Sequence, residues 1–223
     1  MDNQRIRAIR DAAALLFLRQ GYSRTQIGHI AQAVGVSVGT IYHDFTGKQE
    51  IMHLVLKSTI DPAFLDREFQ RPITDDLFRG LDGEIAEAFA RSTAEYARHL
   101  EEGAAEYSFR DFISDTFDLL SRYAVGCLFI EKNQFEFPRL AESYRQYRRV
   151  FFQTVEAHLS LFCRLGAIRP LEHVELTATL IVEMLTWWAM DRTYICFDDG
   201  ASHIPAELAK QVCVDNLMAA YGA

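Results

Sequence analysis

Long apolar runs, paired cysteines and catalytic motifs are all missing from this chain of 223 residues. Its longest apolar region, 174–190, is interrupted by Glu175 and Glu183 and falls short of a bilayer span. The N-terminus does not read as a signal peptide, because the short apolar stretch 12–18 lies between Arg10 and Arg19. Cys127, Cys163, Cys196 and Cys213 have no paired metal spacing and sit in apolar runs, which reads as ordinary buried thiols in a reducing cytoplasm. Histidines 29, 43, 53, 99, 158, 173 and 203 show no HExxH or other ligand spacing. Ser-His and Cys-His nucleophile motifs and Gly-rich phosphate loops are absent too. The acid pairs Asp75-Asp76 and Glu101-Glu102 lie in polar stretches at element ends. These absences argue against an enzyme; no catalytic residue, metal ligand, cofactor or membrane partner is expected. Repeats, low-complexity tracts and period-two alternation are also missing, which leaves an all-α chain.

What is present is punctuation, densest between Thr25 and Lys48. Thr25 reads as the N-cap of a helix whose Ile27, Ile30, Ala31 and Val34 share one face. Gly35 stands where that helix must stop, since glycine enters the left-handed C′ conformation without steric cost. Ser37 then caps a very short helix, 38–44, which turns only Ile41 and Phe45 inward. Two short helices joined by a Gly-containing turn read as a helix-turn-helix. Thr46 with Gln49 three residues on predicts a capping box for a third helix, 47–58, with Ile51, Leu54 and Val55 inward and Asp61-Pro62 breaking it. Ahead of all this, residues 3–20 predict a helix with an inward stripe of Ile6, Ile9, Ala13, Leu16 and Phe17, ended by Gly21.

The net charge of −8 argues at first against nucleic acid. Its distribution reverses that: residues 1–57 carry seven Lys/Arg against four Asp/Glu, and the remainder carries 16 against 27. A basic head on an acidic body suits a phosphate-binding module joined to a sensing or assembly domain.

The block resembles the DNA-binding domain of TetR/AcrR-type regulators. The resemblance is carried by Ala12, Ala13, Leu16, Phe17, Gly21, Tyr22, Thr25, Ile30, Ala31, Gly35, Val36, Ser37, Gly39, Thr40, Ile41, Tyr42, Phe45 and Lys48. It implies that Val38, Gly39, Thr40 and His43 approach base edges in the major groove. Tyr42 and Lys48, with Thr25, Gln26 and Ser37 at helix N-termini, would contact phosphates. The competing reading is a short helix that merely packs. Asp44 departs from the family pattern, and an acid there is expected to face away from DNA or to weaken a local contact. One such module reads too few bases for specific affinity, so a dimer on a palindromic operator is implied.

After an irregular connection over 61–83, the body predicts helices over 84–100, 106–135 with a bend near Gly126, 138–166, 172–194 and 205–221, with an acidic Asp198-Asp199-Gly200 loop between the last two. Leu180, Met184 and Trp188, with Leu208, Val212 and Leu217, offer a dimer interface, or else simply core. Eleven aromatic residues crowd 109–152. An effector site there would be lined by Phe109, Phe112, Phe129, Tyr147, Phe151 and Trp187. Asp111, Glu131, Glu183 and Asn133 would orient one polar group of a hydrophobic or aromatic molecule. The alternative is a solid aromatic core. The expectation is an N-terminal helix-turn-helix domain, 1–58, and a larger helical effector-binding and dimerisation domain, 59–223. Its function would be a cytoplasmic, ligand-released repressor that is no enzyme, against an effector-independent DNA-binding or scaffold protein.

Overall fold

The computed structural model describes residues 2–101, 107–195 and 203–223. Cys196, Glu102, Glu106 and the Asp198-Asp199-Gly200 loop lie outside them. The described residues form helices and no extended strand: α1 (Asp2–Gln20), α2 (Ile27–Val34), α3 (Val38–Asp44), α4 (Lys48–Ile60), α5 (Leu81–Glu101), α6 (Phe109–Lys132), α7 (Pro138–Leu165), α8 (Val174–Thr186) and α9 (Ala206–Tyr221). Two single turns of 3-10 helix, Pro62–Asp66 and Asp75–Phe78, break up the connection between α4 and α5. Beyond α8 the chain continues as a π turn, Trp187–Asp191, and a final helical turn, Arg192–Tyr194.

Two compact units divide the chain: residues 1–88 with 125–141, and residues 89–124 with 142–223. The first unit is built on α1, whose buried stripe is Ile6, Ile9, Ala13, Ala14, Phe17 and Leu18. Leu16, expected inward, is only half-buried; the helical period drifts and Leu18 takes its place. On α4, Ile51, Leu54 and Val55 are fully buried. Gly126 lies inside continuous α6, and a Cβ there would stand 3.0 Å from Thr59 Cγ2, so the residue serves a close approach to Thr59. In the second unit, Tyr96, Phe112, Phe151, Val155, Leu159 and Phe162 are buried, as are Ala178, Ile181 and Leu185 of α8. Cys127 and Cys213 are buried and Cys163 is half-buried, and burial pushes the Cys213 thiol up to about 11. No described helix is long and apolar enough to cross a membrane.

Candidate nucleic-acid interface

Local capping chemistry builds the helix-turn-helix. Gly35 ends α2 at φ 75°, with its N–H and that of Val36 returned to the helix. Ser37 Oγ accepts from Thr40 N at 3.1 Å and starts α3. Ile41 and Phe45 anchor that helix at zero exposure, and Ile30 and Ala31 anchor α2. The rest of α3 faces outward: Val38 is 44% exposed, Tyr42 52%, and Gly39 and His43 are exposed, while Thr40 is half-buried with its hydroxyl on Ser37.

Two caps differ from expectation. Thr25 does not cap α2: it is fully buried, donating its hydroxyl to Gly21 O at 2.8 Å and accepting from Gln20 Nε2 at 3.1 Å. The cap passes to exposed Gln26, whose N–H donates to His29 Nδ1. Nor does Thr46 form a capping box with Gln49; its hydroxyl donates to Ile73 O, and Gly47 stands at the N-cap of α4. Lys48 likewise turns inward. Its ammonium donates to the carbonyls of Tyr22 (2.8 Å) and Thr25 (2.9 Å) and lies 4.1 Å from the Tyr22 ring centroid. Burial lowers its pKa against a raising field from Glu136. Lys48 and Thr25 therefore shape the turn before α2 from within.

Asp44 explains its departure from the family pattern. Its side chain has zero exposure and accepts from Arg5 Nε (2.5 Å) and Nη2 (2.8 Å), from Arg71 Nη1 (2.7 Å) and from His43 Nδ1 (3.1 Å). Burial alone would raise its pKa, but the hydrogen bonds from Arg5 and His43 and the charges of Arg71 and Arg5 outweigh it and hold the carboxyl below its ordinary value. The acid thus faces away from the exposed side of α3. The same corner is closed by Ile73 N donating to Asp44 O and Thr46 N donating to Ile73 O.

The turn before α2 has a second anchor that sequence reasoning missed. Asn133, nominated for a ligand site, is buried; its Oδ1 accepts from Tyr22 N at 2.8 Å while its amide donates to Phe129 O. Tyr22 packs against Phe17, Phe129 and Phe137. Burial raises its phenol pKa, helped by Glu50 and Glu136. Beside it opens a cleft of about 600 Å³ lined by Tyr22, Met52, His53, Leu56, Leu81, Phe137 and Leu140, with Asp82, Glu136 and Arg139 among its polar groups.

None of the nominated effector residues lines that cleft. Phe129 and Glu131 fall in the first unit, and Phe109, Asp111, Phe112, Tyr147, Phe151, Glu183 and Trp187 in the second. Phe109 and Phe112 are buried against Phe162, Phe151 against Tyr96, and half-buried Tyr147 stacks on Phe89 at 4.4 Å. Asp111 is exposed and caps α6 through Ser108. Glu183 is exposed and pairs with Arg148, and Trp187 meets Trp188 edge to face. Among the described residues no group of His, Cys, Asp and Glu is placed to hold a metal.

Of the nominated interface residues, Leu180 is 66% exposed, Leu208 51% and Val212 44%. Met184 and Trp188 are half-buried, and Leu217 is buried within its own chain.

Residues 9–55 match the family described as bacterial regulatory proteins, tetR family. The HTH-type transcriptional regulator SrpR of Pseudomonas putida is 41% identical over 56 residues, 25% of this chain and 26% of its own. TcmR of Streptomyces glaucescens is 36% identical over 83 residues, 37% of this chain and 36% of its own. The matches thus span between 26% and 36% of these relatives. Among solved structures, the ketosteroid transcriptional regulator KstR2 of Mycobacterium tuberculosis superposes with a TM-score of 0.55 at 15% identity, over 98% of this chain and 95% of that one. A transcriptional regulator from Saccharomonospora viridis in complex with choline gives 0.50 at 17%, over all of both chains. At such identities the likeness is one of fold: a helix-turn-helix followed by a larger helical domain.

Proposed function

We propose that this chain, whose residues 9–55 match the tetR family of bacterial regulatory proteins, is a cytoplasmic, non-enzymatic transcriptional repressor that binds a palindromic operator as a homodimer. One observation carries the reading. A seven-residue helix, held inward by Ile41, Phe45 and Asp44, presents Val38, Gly39, Thr40, Tyr42 and His43 outward on an acidic chain's basic segment. Val38, Gly39, Thr40 and His43 meet base edges, while Tyr42, Gln26 and Ser37 meet phosphates. Residues 1–58 carry the DNA-contacting helices, completed by 125–141 in the same compact unit, and the dimer contact lies within 59–223.

A second copy of the chain is the partner, because one module reads half a site and two copies read half-sites one helical turn apart. Leu180 of α8 and Leu208 and Val212 of α9 support a two-helix apolar contact. A small hydrophobic effector would release the operator by preferring a state whose modules are wrongly spaced. The cleft beside Tyr22 supports a place for such a molecule. The interleaved rings of the second unit favour the rival reading, a DNA-binding protein whose aromatic body is solid. Fluorescence anisotropy against the intergenic palindrome beside the gene tests the function, with salt titration reporting phosphate contacts. A wild-type protein that binds that duplex no better than scrambled DNA overturns it.

A further inference from the structure

We infer that Asp44 sets the hydrogen-bonding sense in which His43 reads DNA, presenting an acceptor to the groove and selecting the exocyclic amine of adenine or cytosine. The inference rests on the proposed role of α3 as the recognition helix. Gly39, Thr40 and His43 share a face of that helix by their three- and four-residue spacing. The His43 side chain is 69% exposed, so it is available to a duplex laid along this face.

A neutral imidazole has one N–H and one lone pair, and the partner of one nitrogen decides the character of the other. At His43 that partner is unambiguous. Asp44 accepts two hydrogen bonds from Arg5 and one from Arg71, with no solvent exposure, so its carboxylate is ionised and has no proton to give. The proton in the 3.1 Å contact between His43 Nδ1 and Asp44 Oδ1 therefore resides on Nδ1. That leaves Nε2 with its lone pair, the only polar atom the neutral ring offers a ligand. A bare nitrogen accepts from adenine N6–H₂ or cytosine N4–H₂, and it repels guanine O6 and N7 and thymine O4. His29 shows the opposite state within the same motif. Its Nδ1 accepts from Gln26 N and Gln20 Nε2, so its proton lies on Nε2. A carboxylate adjacent in sequence, held by arginines from α1 and from the connection after α4, is thus a device for fixing one base preference.

The full chain, labelled with ¹⁵N-histidine, is examined at about pH 8, where an ordinary imidazole is neutral. Long-range ¹H–¹⁵N correlations report the tautomer without any DNA. A protonated Nδ1 at His43 is expected; a protonated Nε2, or rapid averaging, overturns the inference. In parallel, randomised duplex DNA is selected on the wild type and on His43→Ala and His43→Arg. The wild type should favour adenine or cytosine at one position of each half-site by about fivefold to tenfold, the low end of a good base contact. His43→Ala should lose that preference and keep the rest of the site, and His43→Arg should turn it to guanine. Replacing the selected adenine by purine, which lacks the amine, should lower wild-type affinity and leave His43→Ala unchanged. Guanine selected by the wild type overturns the inference. If the wild type selects no duplex, the recognition reading fails, and this inference fails with it even if the tautomer is as expected.

Discussion

At the scale of single residues, Asp44 is a buried charge that ties Arg5, Arg71 and His43 together in the first unit. Asp44→Asn leaves Arg5 and Arg71 without their counter-charge, and removing one partner of a buried pair costs about 3–5 kcal/mol. Arg5 keeps 32% of its side chain in solvent, so the expected loss is lower, about 2–3 kcal/mol by urea denaturation. The pH dependence has a definite sign. The Asp44 carboxyl is held below its ordinary value in the fold, so its contribution is complete above about pH 4 and fades as pH falls through the lower folded value. Acid denaturation of Asp44→Asn should therefore show a shallower slope in that range than the wild type. His158 contributes with the same dependence for another reason. Burial chiefly lowers its pKa, with a smaller lowering from His99 against the bond to Thr154 O. Stability attributable to it is full above about pH 6.5 and declines as pH drops toward its folded value. His158→Phe should flatten the stability profile just below neutrality, checked by thermal melts across pH.

At the scale of elements, the helix-turn-helix was the legible part, because caps are local chemistry. Gly35 and Ser37 announce where α2 ends and α3 begins, and the structure places both as read. Thr25 and Thr46 were misread as caps because each spends its hydroxyl on a carbonyl that the local pattern does not reveal, Gly21 O and Ile73 O. An effector site is harder to read from sequence than a cap. Aromatic residues at helical spacing look alike whether they line a space or fill one, and here Phe109, Phe112 and Phe151 lie against rings of the same unit. Two element-scale variants check the motif. Gly35→Ala forces a side chain into left-handed backbone at φ 75° and should destabilise the fold by about 1 kcal/mol, read from the urea midpoint. Tyr42→Phe removes only an exposed hydroxyl. It should weaken binding to all duplexes about equally without moving the melting temperature, whereas unchanged affinity removes the assigned phosphate contact.

For the whole molecule, the decisive measurement is the association state. Leu208→Asp and Leu180→Asp change residues exposed on one chain, so each should give helical monomers in sedimentation while Leu217→Asp should disrupt folding itself. Wild-type monomers at micromolar concentration would remove the premise of a two-half-site operator. The bond from Tyr22 N to Asn133 Oδ1 bridges 111 positions of sequence. It makes the reading module a discontinuous object: α1 to α4 are completed by a stretch of chain made long after them, which also supplies Phe129 and Phe137 around Tyr22. A hybrid regulator assembled by cutting at residue 58 and grafting the front portion onto a foreign body forfeits that support, whereas a graft that carries 125–141 along retains it.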